Sequence, residues 1–255
     1  MDKQSFSSSK KWKTSIAGIV DGETLIHGYK ITDLIDKVSF TDAIWLELKG
    51  ELPTEKERAM LDSILISTID NGLGPPSITN ARNSASAGNP MQAAVAAGVL
   101  GVGQSHGGAI EECARLLQMG LTAEKLVEKV ISQGDRIPGF GHKIYKTEDP
   151  RATQIFNKAK ALGFYGEHCG LAKVVEAELE KQKGKKIVIN VDGAIAAVIS
   201  DMGFDYRLGK GFFIIGRVVG LVAHIFEEWV REKPFRRVPD GEIEYDGTPS
   251  RKLER

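Results

Sequence analysis

Met91-Gln92-Ala93-Ala94-Val95-Ala96-Ala97-Gly98-Val99-Leu100-Gly101-Val102-Gly103 decides the fold class of this 255-residue chain. After Gln92 the stretch is only Ala, Val, Leu and Gly. A helix on a protein surface needs a polar face, and this one has none. It predicts a helix buried on most of its sides, where small residues let neighbours come close.

The flanking sequence reads the same way. Residues 14–28 suggest two short strands about an Asp21-Gly22 turn. Apolar residues then recur at helical spacing over 31–35 and 40–48. Thr54 and Glu57 form a capping box that opens a helix to about Ile69. A loop with Gly72, Gly74, Pro75 and Pro76 follows. Helical runs return at 107–119, 122–133, 150–162, 170–182, 193–202 and 211–231, and the tail after Pro234 reads as extended. There is no repeat and no strand–helix alternation. The expected architecture is mostly α-helical with a small N-terminal β element.

Composition narrows the function classes. Acidic and basic residues balance at 34 each, and 42% of the chain is hydrophobic, which is enough for a large core and leaves no basic arm for nucleic acid. The densest basic run, Lys181-Gln182-Lys183-Gly184-Lys185-Lys186, reads first as a solvated loop and second as a phosphate attractor. Cys113 and Cys169 form no metal or redox motif, which suits a reducing compartment. The polar, charged start lacks an apolar signal region, and no window approaches a membrane span. A soluble cytoplasmic protein is expected.

Three segments stand apart chemically. In Ile137-Pro138-Gly139-Phe140-Gly141-His142, glycines would let a histidine approach a ligand closely. Asp149-Pro150-Arg151 then reads as a helix start, with Asp as the cap and Pro in the first turn. This places a guanidinium among outward-facing N–H groups, a setting for a carboxylate or phosphate. Gly103-Gln104-Ser105-His106-Gly107-Gly108-Ala109 joins two helices. Ile189-Asn190-Val191-Asp192-Gly193-Ala194 sets an acid at the mouth of an apolar helix, where burial would raise its pKa and make it a usable acid–base group. His106 and Asp192 could each be simple helix caps, and His142 a loop histidine. His27, His168 and His224 read as surface or packing residues.

Together these segments resemble the citrate synthase superfamily. Ser105-His106-Gly107-Gly108-Ala109, Pro138–His142 with Asp149-Pro150-Arg151, and Asn190-Val191-Asp192 are similar to its three catalytic motifs. Gly216-Arg217-Val218-Val219-Gly220 with Ala223-His224 resembles its late substrate-binding helix. Gly28-Tyr29 through Asp33-Leu34 and Gly50-Glu51-Leu52-Pro53-Thr54 match its opening. The resemblance implies a compact citrate synthase-like multi-helical fold, a single unit over 1–255. Residues of about 1–135 and 205–255 would form the large helical part, and about 136–204 a small CoA-binding part. The compact layout is most like citryl-CoA lyases. One position departs from the pattern: Asn71 stands in Asp70-Asn71-Gly72 where the family usually has His.

What the resemblance implies is cleavage of (3S)-citryl-CoA to acetyl-CoA and oxaloacetate, with citrate synthase or an enzyme of another acyl-CoA as the alternative. His142 would take the hydroxyl proton, His106 would hydrogen-bond the thioester oxygen, and Asp192 would protonate the enolate carbon. Asn71, Arg151, Arg217 and Arg237 would bind the substrate's acid end. Arg237, chosen over Arg236, would come from the neighbouring subunit of a homodimer or larger assembly of dimers. Pro138, Gly139, Phe140, Gly141, Lys146 and Asn190 would hold coenzyme A, the thioester being the substrate. No metal, nucleic acid or membrane is expected. Gly103-x-Ser105-x-Gly107 also satisfies a serine-hydrolase elbow with Asp192 and His224 in chain order, but that motif must follow a strand. A catalytically silent binder of the same fold, suggested by Asn71, and a zinc site are the remaining alternatives.

Overall fold

A computed structural model describes residues 12–253; the expected polar start at residues 1–11 lies outside them. The chain begins with an antiparallel sheet in order β1-β2-β3. β1 (Ala17–Val20) and β2 (Glu23–Ile26) meet about Asp21-Gly22 as expected, and β3 (Tyr29–Lys30) adds an unforeseen short third strand. Eleven helices follow among the described residues.

α1 (Ile31–Lys37) and α2 (Phe40–Lys49) lead into α3 (Glu55–Thr68). The capping box at its start is formed: Glu57 N–H donates to Thr54 Oγ1, while Thr54 N–H donates to the Glu57 carboxylate. Next comes α4 (Pro76–Ser86), which the sequence reading leaves unassigned beyond Pro76. Its apolar stripe is only Ile78, Ala81 and Ala85, and apart from Pro76 the rest is polar, the buried Arg82 included. Pro76 at its first position is the signal that could have revealed it.

α5 (Met91–Leu100) corrects a second expectation. Only Ala94 and Gly98 are buried, and Leu100 is 85% exposed. One face is pressed on α4 and on α11 (Gly209–Arg231); a Cβ on Gly98 would lie 2.9 Å from Leu221. The opposite apolar face is open in the single chain.

α6 (Ala109–Leu117), α8 (Pro150–Leu162) and α9 (Glu167–Lys183) surround α10 (Val191–Asp201), most of which is buried, and α7 (Ala123–Ile131) packs on α9. One hydrophobic core includes Met60, Ile110, Ile155, Ile199 and Phe212 and continues across residues 135 and 204. The tail is extended apart from a 3-10 turn at Asp240–Glu242.

α11 overturns the expectation that no segment approaches a membrane span. Together with the 3-10 turn before it, it forms a continuous helical run, Tyr206–Arg231, long enough to cross a bilayer and holding an 18-residue stretch of mean hydropathy 1.5. In this fold its apolar side is a core face, packed on α3, α4, α5 and α6. It also buries two charges: Arg217 inside the functional cavity and Glu228 against Arg82 and Arg236.

Candidate active site

Two cavities meet at His142. The smaller, about 220 Å³, is lined by His106, His142, Asp192, Asn71, Arg151, Asn190 and Arg217, with Asp70, Ser105 and Phe213 among its other walls. All three expected catalytic residues therefore converge with three of the four expected substrate-binding residues. The larger, about 860 Å³, is lined by Phe140, Gly141, His142 and Lys146 and by Arg136, Lys143, Lys183, Lys185 and Lys186. The basic run first read as a solvated loop thus forms a cavity wall.

His106 precedes α6 and is half-buried. Its Nε2 lies 2.8 Å from Ser77 Oγ, and Arg217 Nη1 donates to the same oxygen at 3.4 Å. The serine hydroxyl has two lone pairs and one proton, so it can take the Arg217 donor and still either accept from or donate to Nε2. Burial first, and the Arg217 cation second, hold the His106 pKa below its ordinary value and keep the ring neutral. Ser77 is fully buried on the unforeseen α4. Gly107 brings His106 against α11: its φ is +76°, and a Cβ there would stand 2.6 Å from the Phe213 ring.

His142 Nδ1 accepts from the backbone N–H groups of Ile144 and Tyr145, both at 3.1 Å, while Arg151 Nη2 stands 3.2 Å from Nε2. Both ring nitrogens face donors, although a neutral imidazole offers one lone pair. Burial lowers the His142 pKa; Asp149 opposes that shift, and Arg151 and Lys146 reinforce it. Lys146 Nζ folds back onto the His142 carbonyl at 2.9 Å.

Asp192 sits in the first turn of α10. Asn190 caps that helix through Oδ1, which accepts from Asp192 N–H and Gly193 N–H, and its amide donates to Gly141 O at 2.9 Å. Burial raises the Asp192 pKa against the pull of Arg151 and Arg217. Cys113, buried beneath it, is pushed up to about 12 by burial and by the Asp192 charge. Arg217 is 3% exposed and donates through Nε to Thr68 O at 3.0 Å.

Other expected residues lie elsewhere. Pro138 and Gly139 do not line either cavity. Gly139 instead presses its backbone on α10, where a Cβ would come within 2.6 Å of Gly193 Cα. Arg237 makes no hydrogen bond or ion pair with the described residues and is exposed, whereas its neighbour Arg236 is held by Glu228 at 2.8 Å. His224, read as packing, bonds Asp70 Oδ2 at 2.9 Å behind the cavity wall. That pairing, and a helix rather than a strand before Ser105, remove the serine-hydrolase reading. No group of His, Cys, Asp and Glu with metal-ligand geometry occurs among the described residues.

The family description "Citrate synthase, C-terminal domain" matches residues 55–238. The chain belongs to this family. The citryl-CoA lyase of Hydrogenobacter thermophilus is 50% identical, with a TM-score of 0.91 over 96% of this chain and 98% of that one. ATP citrate lyase of Methanothrix soehngenii, solved with citrate and coenzyme A, is 26% identical, with a TM-score of 0.82 over 96% of this chain and 43% of that one. Among curated relatives, a probable ATP-citrate synthase of Dictyostelium discoideum is 27% identical over 91% of this chain and 39% of its own length. A citrate synthase of Haloferax volcanii is 29% identical over 79% of this chain and 55% of its own length. The chain thus spans about two-fifths to three-fifths of such relatives, while it matches the Hydrogenobacter lyase nearly end to end. The mostly helical citrate synthase-like fold with its small sheet is shared with these structures.

Proposed function

We propose that this protein is a citryl-CoA lyase, cleaving (3S)-citryl-CoA to acetyl-CoA and oxaloacetate. One observation carries the reading. His106, His142 and Asp192 share a small cavity with Arg151 and Arg217, and that cavity joins a lysine-lined one large enough for a nucleotide-bearing thioester at His142.

The chemistry follows from the geometry. Arg151 and Arg217 grip the carboxylates of the citryl group, as planar guanidinium groups suit them. Arg151 meets the carboxylate through its Nη1 side, and when His142 exchanges its Arg151 contact for the substrate, Nε2 accepts the tertiary hydroxyl proton. For Nε2 to hold the lone pair, the ring proton must sit on Nδ1, so the Ile144 and Tyr145 amides move away in the reacting state. The hydroxyl oxygen becomes the oxaloacetate carbonyl, the carbon–carbon bond breaks, and its electron pair forms the acetyl-CoA enolate. His106 Nδ1–H donates to the enolate oxygen. Asp192, kept protonated by burial, gives its proton to the enolate carbon. The coenzyme lies along Phe140, Gly141 and the cavity lysines, whose charge complements its phosphates.

The functional unit is a homodimer. The open face of α5 and the exposed Val219, Val222, Phe226 and Trp229 of α11 make an apolar surface that a second copy would cover. Arg237, free where Arg236 is tied down, reaches the partner's cavity. Two buried, unpaired cysteines suit a cytoplasmic location.

The deciding experiment incubates the purified protein with citryl-CoA, and separately with acetyl-CoA and oxaloacetate. Acetyl-CoA and oxaloacetate from the first establish the lyase. Free CoA and citrate from the second make it a synthase, and inactivity in both sinks the reading and directs attention to Asn71.

A further inference from the structure

The Asp149 side chain is fully buried and holds more than a helix end. Its Oδ1 accepts from Arg151 N–H at 3.0 Å and Arg151 Nε at 3.1 Å. Its Oδ2 accepts from Arg151 Nη2 at 3.0 Å and from Val191 N–H at 3.1 Å. Val191 is the first residue of α10, adjacent to Asp192. One carboxylate thus takes a whole edge of the Arg151 fork, leaving the Nη1 side for an incoming carboxylate, and at the same time fixes the mouth of α10.

We infer that Asp149 is a positioning residue for the reaction, locking the Arg151 guanidinium and the N-terminus of α10 into one unit so that a single buried carboxylate sets both substrate grip and proton delivery. A plain cap would need only the Arg151 N–H contact, which an asparagine supplies equally well. The two contacts at Oδ2 need a second acceptor oxygen: in Asp149→Asn the amide N–H groups would face Arg151 Nη2 and Val191 N–H, donor against donor.

The charge matters to Asp192 as well. Asp192 faces Arg151 and Asp149 from α8 and its cap, Arg217 from α11 and Cys113 from α6. His106 and His142 line the same cavity. Asp149 repels the ionised Asp192 and neutralises Arg151. Removing its charge favours ionised Asp192 on both counts. Holding Asp149 ionised in this place, burial works against the charge, but the hydrogen bonds from Arg151 and Val191 outweigh it.

The inference rests on the lyase roles given to Arg151 and Asp192. Its test compares full-length wild type, Asp149→Asn and Asp149→Glu for citryl-CoA cleavage, for CoA binding by calorimetry, and for the titration of Asp192 by ¹³C NMR. Asp149→Asn is expected to lose on the order of 100-fold in kcat/KM, with KM raised and kcat lowered, as for loss of a charge-assisted pair. CoA affinity should stay within about twofold, because the lysine wall is untouched. The Asp192 titration should move to lower pH, while Asp149→Glu should leave it in place and recover part of the activity. Wild-type kinetics in Asp149→Asn, or an unmoved Asp192 titration, overturns the inference. If Asp149→Asn does not fold, Asp149→Glu decides through Asp192: a titration that stays in place supports the inference whatever share of kcat/KM returns, and one that moves overturns it. Wild type inert toward citryl-CoA defeats the lyase reading instead, and the Asp192 titration then still tests the role of Asp149.

Discussion

Asp192 and the two histidines depend on opposite consequences of the same burial. An enclosed wall raises the carboxylic acid and lowers both imidazoles, so the pH ranges in which the three are neutral move toward one another. Cleavage needs a protonated Asp192 and neutral rings. Activity should therefore be retained on acidification past the ordinary histidine value of 6.5, and should fall as pH rises through the elevated Asp192 titration. A pH–rate profile with its acid limb at or above that histidine value would contradict the burial argument. Asp192→Ala should abolish turnover, by about 10³-fold or more, while CoA binding remains measurable by calorimetry. Asn71→Ala should act differently, raising KM for citryl-CoA about tenfold with a smaller effect on kcat, because it removes a hydrogen bond made by the bound substrate. His106, His142 and Asp192 were legible because each stands at a Gly-rich junction where a polar residue needs an explanation. Ser77 was not. It meets His106 only through tertiary packing, and no local pattern marks a serine as the hydrogen-bond partner of a distant histidine.

The elements show the same division. α8 was readable to its bounds, since Asp149, Pro150 and the αL Gly163 mark both ends, and α3 announced itself through Thr54 and Glu57. α4 went unseen because its buried face is largely polar: Ser77, Arg82 and Ser86 are inside, and their partners come from α11 and the tail. That burial supports a stability prediction. Arg82 Nε and Arg236 Nη2 both bond Glu228, at 2.6 and 2.8 Å. Glu228→Ala leaves the buried Arg82 short of its main partner and should cost about 3–5 kcal/mol in chemical denaturation. The pH dependence has a definite sign. Burial raises the Glu228 pKa, but hydrogen bonds from Arg236 and Arg82 outweigh it and set the folded value below the ordinary one. The stabilisation is present above the ordinary glutamate range and is lost as pH falls through the folded value. By contrast Thr54→Ala, far from the cavity, should cost only about 1 kcal/mol and leave kcat unchanged.

Across the whole molecule, the expected substrate-binding residue that one chain does not bring to the cavity is Arg237. The open apolar faces of α5 and α11 supply the reason, for both are completed by a second subunit in the proposed dimer. Mixing inactive Arg237→Ala and Asp192→Ala subunits should restore cleavage, since a mixed dimer contains one site with both groups intact; no recovery after verified subunit exchange would place Arg237 outside the reaction. Lys183, Lys185 and Lys186 are exposed, as the sequence suggests, and they also line the larger cavity together with residues of the 136–146 segment. Gly139 and Gly193 end on a different kind of constraint. Their backbones touch, so a side chain at either position drives α10 away from the turn that carries His142. A change at one cannot be compensated at the other, because nothing is smaller than glycine. In a mutational library this pair would behave as a fixed point: neighbouring positions could drift in company with one another, while these two admit no second solution, singly or together.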